Sequence, residues 1–269
     1  MLGKLIKNEI KTSAHTMMNI YIAAAVTIGI MLLAYVVDIS WLSGLATVAM
    51  FLIAIIALII TFVGVVANFY KTLYGPQGYL SFTLPVTSGQ LLAAKAIVAF
   101  LWILVSYAVS IGIMIWIYDY MTSVIGENNL ELIKTIISMF RSMPGAKAIK
   151  GYLALLVVSV FIQLAFLISE LFFSITFANT RIMQKLGAAG PIVVFFVIFI
   201  IAQILNFVLT NYVPIVVAPG TDGLIFSFGK TMESAELSFG ITGVIFELLV
   251  SIGLFFGTGW LMNHKVNIK

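Results

Sequence analysis

Six stretches of this sequence run for about twenty residues with almost no charge: Met17–Val37, Leu45–Phe69, Leu92–Ile117, Tyr152–Ala178, Pro191–Leu209 and Ile241–Leu261. Crossing a hydrocarbon layer about 30 Å thick takes about 20 residues of helix. Backbone amides exposed to hydrocarbon cannot go unpaired, so each run is expected to be a helix. Only Lys95, Glu170 and Glu247 interrupt the runs. With 62% of its residues hydrophobic and 9% charged, the chain has too little polar surface to cover a water-soluble globule, for which about a quarter charged is usual. The expected fold is all-α: one polytopic transmembrane domain over residues 1–269 with six spans.

The charges between the runs set an orientation. One side receives nine of the fourteen Lys and Arg residues, including Lys4, Lys7, Lys11, Arg181 and Lys185, and a single acid, Glu9. The other receives five cations and seven acids. The positive-inside rule places the first side in the cytoplasm, and six spans put both termini there. The net charge of +4 is thereby accounted for by membrane flanks, and no nucleic-acid partner is expected. The lead "MLGKLIKNEIKTSAHT" sets Leu2, Leu5, Ile6 and Ile10 opposite Lys4, Lys7 and Lys11. It reads as an interfacial amphipathic helix ahead of the first span, with a helical extension of that span as the alternative, and not as a cleavable signal. Lys95, at the start of the third run, reads as a snorkelling anchor.

Two loops on the outer side are more apolar than loops usually are. Leu130, Ile133, Ile136, Ile137 and Phe140 share one helical face, predicting a helix on the outer membrane surface. Residues 211–240 are broken by Pro214, Pro219, Gly220 and Gly223 into pieces too short to span. They are expected to dip into the outer leaflet.

Several chemistries are excluded by residue inventory. There are no cysteines, and His15 and His264 lie in terminal segments, so neither a metal centre nor a thiol or triad enzyme is expected. A phosphate-cradling loop needs Gly-x-x-x-x-Gly-Lys-Ser/Thr. "GLIFSFGKT" at 223–231 comes nearest, but it is one residue too long and lies in an outer loop. No cofactor is expected on this chain.

The cytoplasmic loop between the second and third runs, "LYGPQGYLSFTLPVTSGQ" at 73–90, is the most informative segment. Gly75-Pro76 should stop the second helix. Thr87 and Gln90 have the spacing of a capping box for the third. Leu84, ahead of Pro85, is disfavoured in helical geometry. Between the breaks, Gln77–Leu84 forms about two turns, with Tyr79, Leu80, Phe82 and Leu84 apolar on more than one side. Two homes suit it on physical grounds: the lipid headgroup layer, or a groove on a cytoplasmic protein.

The segment "FYKTLYGPQGYLSFTLPVTSGQLLAAKAI" resembles the first cytoplasmic loop of bacterial ATP-binding-cassette exporter permeases of the ABC-2 type. The matching positions are Tyr74, Gly75, Gly78, Tyr79, Leu80, Leu84, Pro85, Val86 and Lys95, about a tenth of the chain; elsewhere only the layout agrees. The resemblance implies a bacterial plasma-membrane permease subunit that pairs with a second copy or homologous chain. It implies a short coupling helix, carried by Tyr74, Gly75, Pro76, Gly78, Tyr79, Leu80, Phe82, Leu84 and Pro85, that contacts a separate cytoplasmic ATPase subunit. ATP and magnesium would belong to that partner.

Glu170 and Glu247 are the acids inside apolar runs, and a charge near the bilayer centre costs about 2.5–3.5 kcal/mol on insertion scales. They are candidates for lining a translocation path. Alternatively they bond to neighbouring helices, with Asn68, Gln163, Gln203 and Asn206 as available partners. An ATP-independent secondary transporter or a membrane scaffold subunit is the alternative to the exporter reading.

Overall fold

The structure is a computed structural model that describes residues 2–36, 40–75, 78, 86–125, 138, 146–181, 183–220, 223–229 and 238–264. Among the described residues, six helices are long and apolar enough to cross a membrane. They are α1 (Leu2–Val36), α2 (Ser40–Leu73), α3 (Ser88–Ile125), α4 (Ala146–Ala178), α5 (Gly190–Tyr212) and α6 (Thr242–His264). A 3-10 turn, Gln184–Ala189, leads into α5, and three short strands lie between α5 and α6. The protein is thus a helical, multi-pass membrane protein. Its chain forms two compact units, residues 1–131 and 132–269, each with three of the spanning helices.

Side-chain placement follows membrane logic. Along α1, Ile22, Val26, Ile30 and Leu33 recur every three or four residues and all point outward, as a lipid-facing stripe should. The buried positions instead favour small and hydroxyl-bearing residues, among them Ala54, Ala57, Thr61, Ser106 and Ser110 in the first unit. Hydrocarbon offers no hydrophobic reward for helix association, so close approach and interhelical hydrogen bonds hold such bundles. The bonds are present. Tyr21 Oη lies 2.7 Å from Ser106 Oγ, Ser106 Oγ donates to Thr61 Oγ1 at 2.6 Å, and Ser110 Oγ donates to the Ala54 carbonyl at 3.0 Å. Trp102 Nε1 donates to Ser13 Oγ at 2.9 Å. Farther along, Met50, Ala54 and Ile113 form an apolar core flanked by Tyr35 and Trp116.

Three expectations need correction. The amphipathic lead is not a separate interfacial element: it runs into the first span as one helix of 35 residues. Nothing between Lys11 and Met17 breaks a helix, since "TSAHT" has neither Gly nor Pro. At 1.5 Å per residue α1 is about 52 Å long, so it extends well past a 30 Å hydrocarbon layer. The segment after α5 is not a set of separate pieces. It pairs as a three-stranded antiparallel sheet of order β2-β1-β3, with β1 Ile215–Pro219, β2 Leu224–Phe228 and β3 Phe239–Gly240. Internal pairing satisfies the backbone that Pro and Gly withhold from a helix. The third correction, Lys95, belongs to the site below.

The second unit is built around α4, which packs on α5, α6 and the sheet. Ser169 Oγ and Ser251 Oγ approach to 3.0 Å between α4 and α6. The sheet is tied down at its base. Thr242 Oγ1, at the start of α6, donates to the Val213 carbonyl at 2.6 Å and accepts from Ile215 N–H at 2.9 Å. The predicted surface helix around Leu130–Phe140 lies outside the described residues, apart from Ser138.

Candidate functional site

The loop joining α2 to α3 is entered and left as its sequence predicts. α2 ends at Leu73, and the amides of Tyr74 and Gly75 both bond to the Tyr70 carbonyl, at 2.8 and 3.0 Å. This closes the helix with a widened last turn. Gly78 N–H then donates to the Gly75 carbonyl at 2.8 Å. A side chain at Gly78 would begin inside van der Waals distance of the Leu73 backbone, so this approach needs glycine. On the far side Thr87 caps α3: its Oγ1 accepts from Gln90 N–H at 3.3 Å. Pro76, Tyr79, Leu80, Phe82, Leu84 and Pro85, and with them the expected coupling helix, lie outside the described residues.

Just inside these two roots sits a polar cluster that the sequence reading missed. Lys95 is no snorkelling anchor. It is almost wholly buried, and its Nζ donates to both carboxylate oxygens of Glu9, at 2.8 and 2.9 Å, and to Thr72 Oγ1 at 2.7 Å. Asn68 Nδ2 donates to Glu9 Oε1 at 2.9 Å. All three ammonium donors are thereby used. The geometric reason is the length of α1: its charged first turns lie beside the ends of α2 and α3, so Lys95 finds an anion without reaching for water. The cluster joins α1 (Glu9), α2 (Asn68, Thr72) and α3 (Lys95) at one level. Thr72 lies two residues before Tyr74, and Lys95 two helical turns after Thr87, so both loop roots are fastened through it.

The two intramembrane acids are not joined by any described bond. Glu247 Oε1 accepts from Asn206 Nδ2 at a long 3.4 Å, linking α6 to α5, while its Oε2 has no partner among the described residues. Of the partners expected for these acids, Asn206 thus serves Glu247 and Asn68 serves Glu9 instead. Glu170, on α4, is fully buried, and neither of its carboxylate oxygens has a hydrogen-bond partner among the described residues. Its position on an inward face rather than a lipid face leaves a transport-path role open but gives it no built ligand site. Replacing Glu170 with Met, of similar volume and with no polar atom to satisfy, is expected to raise stability by about 1–3 kcal/mol. Thermal unfolding in detergent measures this; a fall in Tm would mean that the carboxyl has a partner in the assembled protein.

Compared with family models, curated proteins and solved structures, the chain matches none of them. Function therefore has to be argued from the residues and their geometry.

Proposed function

We propose that this chain is the membrane-spanning subunit of an exporter driven by a separate ATP-binding-cassette ATPase. The loop between Tyr74 and Thr87 is the ATPase contact, and a second copy or homologous chain completes the substrate path. One observation carries this reading: the Glu9–Lys95 ion pair with Thr72 and Asn68, which fastens three spanning helices together at the roots of that loop. A loop that only rested on lipid would have no use for so costly a buried pair at its base. A loop that receives a push from a partner needs roots that deliver the push to several helices at once. The apolar residues between those roots, Tyr79, Leu80, Phe82 and Leu84, suit a protein groove. In this reading ATP and magnesium bind the partner, and both termini lie in the cytoplasm of a bacterial cell.

The test is co-expression with the gene products encoded beside this chain, followed by purification through a tag on the chain and a search for an ATPase among the proteins that come with it. Recovery of a complex that hydrolyses ATP is expected. Recovery of the chain alone from membranes that contain the ATPase would set the reading aside. A second reading, an ATP-independent transporter, rests on Glu170, whose carboxylate has no hydrogen-bond partner among the described residues. It predicts that purified chain alone, in liposomes, moves substrate down an ion gradient and that Glu170→Met abolishes this.

A further inference from the structure

The sheet between α5 and α6 carries a second contact surface. β1 begins at Ile215, three residues after α5 ends at Tyr212, and β3 ends two residues before α6 begins at Thr242. At no more than about 3.6 Å per residue, the base of the sheet lies within roughly 11 Å of both helix ends. The bonds from Thr242 to Val213 and Ile215, and from Ile241 N–H to the Ile215 carbonyl at 2.9 Å, hold it there. The sheet is thus pinned at the level where two apolar spans stop.

Its orientation follows from pairing. Leu224, Phe226 and Phe228 share one face of β2, and Ile225 and Ser227 the other. Phe226 stands opposite Val217, which is fully buried, and Leu224 rests on Gly151, the residue before the apolar run of α4 begins. The Leu224 face is therefore the one turned toward the end of the helices. Yet at the outer strand of the sheet, as far as the described residues go, that same face carries Phe226, 62% exposed, and Phe228, 76% exposed. An edge strand of Leu-Ile-Phe-Ser-Phe has none of the charges that guard edges in water. Phe and Leu on the apolar face of an interfacial element, in contrast, sink about 5–10 Å into the boundary between headgroups and acyl chains.

We infer that the Phe226–Phe228 face of β2 lies in the bilayer, at the boundary between headgroups and acyl chains, and holds this end of the second unit on the membrane surface. Lipid is the occupant because the two rings continue the face that packs on Gly151 at the end of α4, within a few residues of the points where α5 and α6 stop. The inference needs only the six spanning helices and is independent of the exporter reading.

The chain has no cysteine, so nitroxide labels can be placed singly on Phe226→Cys, Phe228→Cys and Ile225→Cys in the full protein, reconstituted into phosphatidylcholine–phosphatidylglycerol liposomes. Collisions with oxygen, which concentrates in lipid, are compared with collisions with a water-soluble nickel chelate. Oxygen is expected to dominate at 226 and 228, and nickel at 225. Nickel dominating at 226 and 228 places the face in water and overturns the inference. Shielding of those labels from both reagents also overturns it, and assigns the face to a protein, whether a second copy or another chain. If labelling disturbs the sheet, Phe228→Trp keeps an aromatic ring there. Lipids brominated on their upper acyl carbons should quench it beyond the quenching of the four native tryptophans; no added quenching is the contrary result.

Discussion

Replacing Lys95 with Met is expected to destabilise the first unit by about 3 kcal/mol, one of the two largest effects of any change considered for this chain. The substitution leaves the Glu9 carboxylate beside α2 and α3 with only the Asn68 amide as a described partner. Removing one member of a buried pair costs about 3–5 kcal/mol, because the remaining charge is uncompensated. The lower end applies, since Glu9 retains 13% exposure where Lys95 retains 3%. Adding Glu9→Gln to Lys95→Met should restore most of the loss, because removing both charges together is often close to neutral. Denaturation of the four proteins in detergent gives the coupling directly. Additive losses would mean that the two side chains do not depend on each other. Under the exporter reading the single variant should also uncouple: ATP hydrolysis continues while transport falls, at temperatures where the protein remains folded.

Replacing Tyr79, Leu80 and Phe82 together with Ser is expected to abolish capture of the ATPase. Aromatic anchors at a protein interface commonly cost about 2 kcal/mol or more each when truncated. Two of them, with an aliphatic neighbour, amount to about 4 kcal/mol, or roughly a thousand-fold in affinity. A complex that survives purification would not survive that. The triple variant should still reach the membrane and keep its Tm, because the loop's roots, Tyr74–Gly75 and Thr87, are untouched and the buried cluster below them is intact. Capture at the parent's level would place the loop on lipid.

The helices were readable because hydrocarbon imposes one rule on every residue of a span, and an uninterrupted apolar run states it locally. The stop at Gly75 and the cap at Thr87 were readable for the same reason: each depends on two or three adjacent residues. The Glu9–Lys95 pair depends on residues 86 positions apart, and no local pattern announces it. A usable signal existed all the same. Glu9 is the one acid among three lysines in the lead, and Lys95 is the one cation inside an apolar run. Two opposite charges, each unexplained by its own helix, are candidates for each other. The lead was separated from the first span because its polarity changes there, but a change of solvent does not break a helix. The sheet is hard to read for a different reason. "PIVVAPG" and "GLIFSFG" are short β-branched and aromatic runs between Pro and Gly, an ordinary hairpin signature. In a chain dominated by spans, their apolarity does not set them apart, and only their period does. Glu170 was visible as an anomaly in the sequence, and its lack of a described partner makes it one in the structure as well.

The central claim is that an ATPase sits on the loop between α2 and α3. The absence of cysteine in the natural chain allows a photoactivated cross-linker at a single site, Phe82→Cys, in cells that co-express the ATPase. The account predicts an adduct containing both proteins, with a yield that changes when ATP is trapped on the ATPase. Adducts with lipid alone, from membranes in which the ATPase is present, would contradict it.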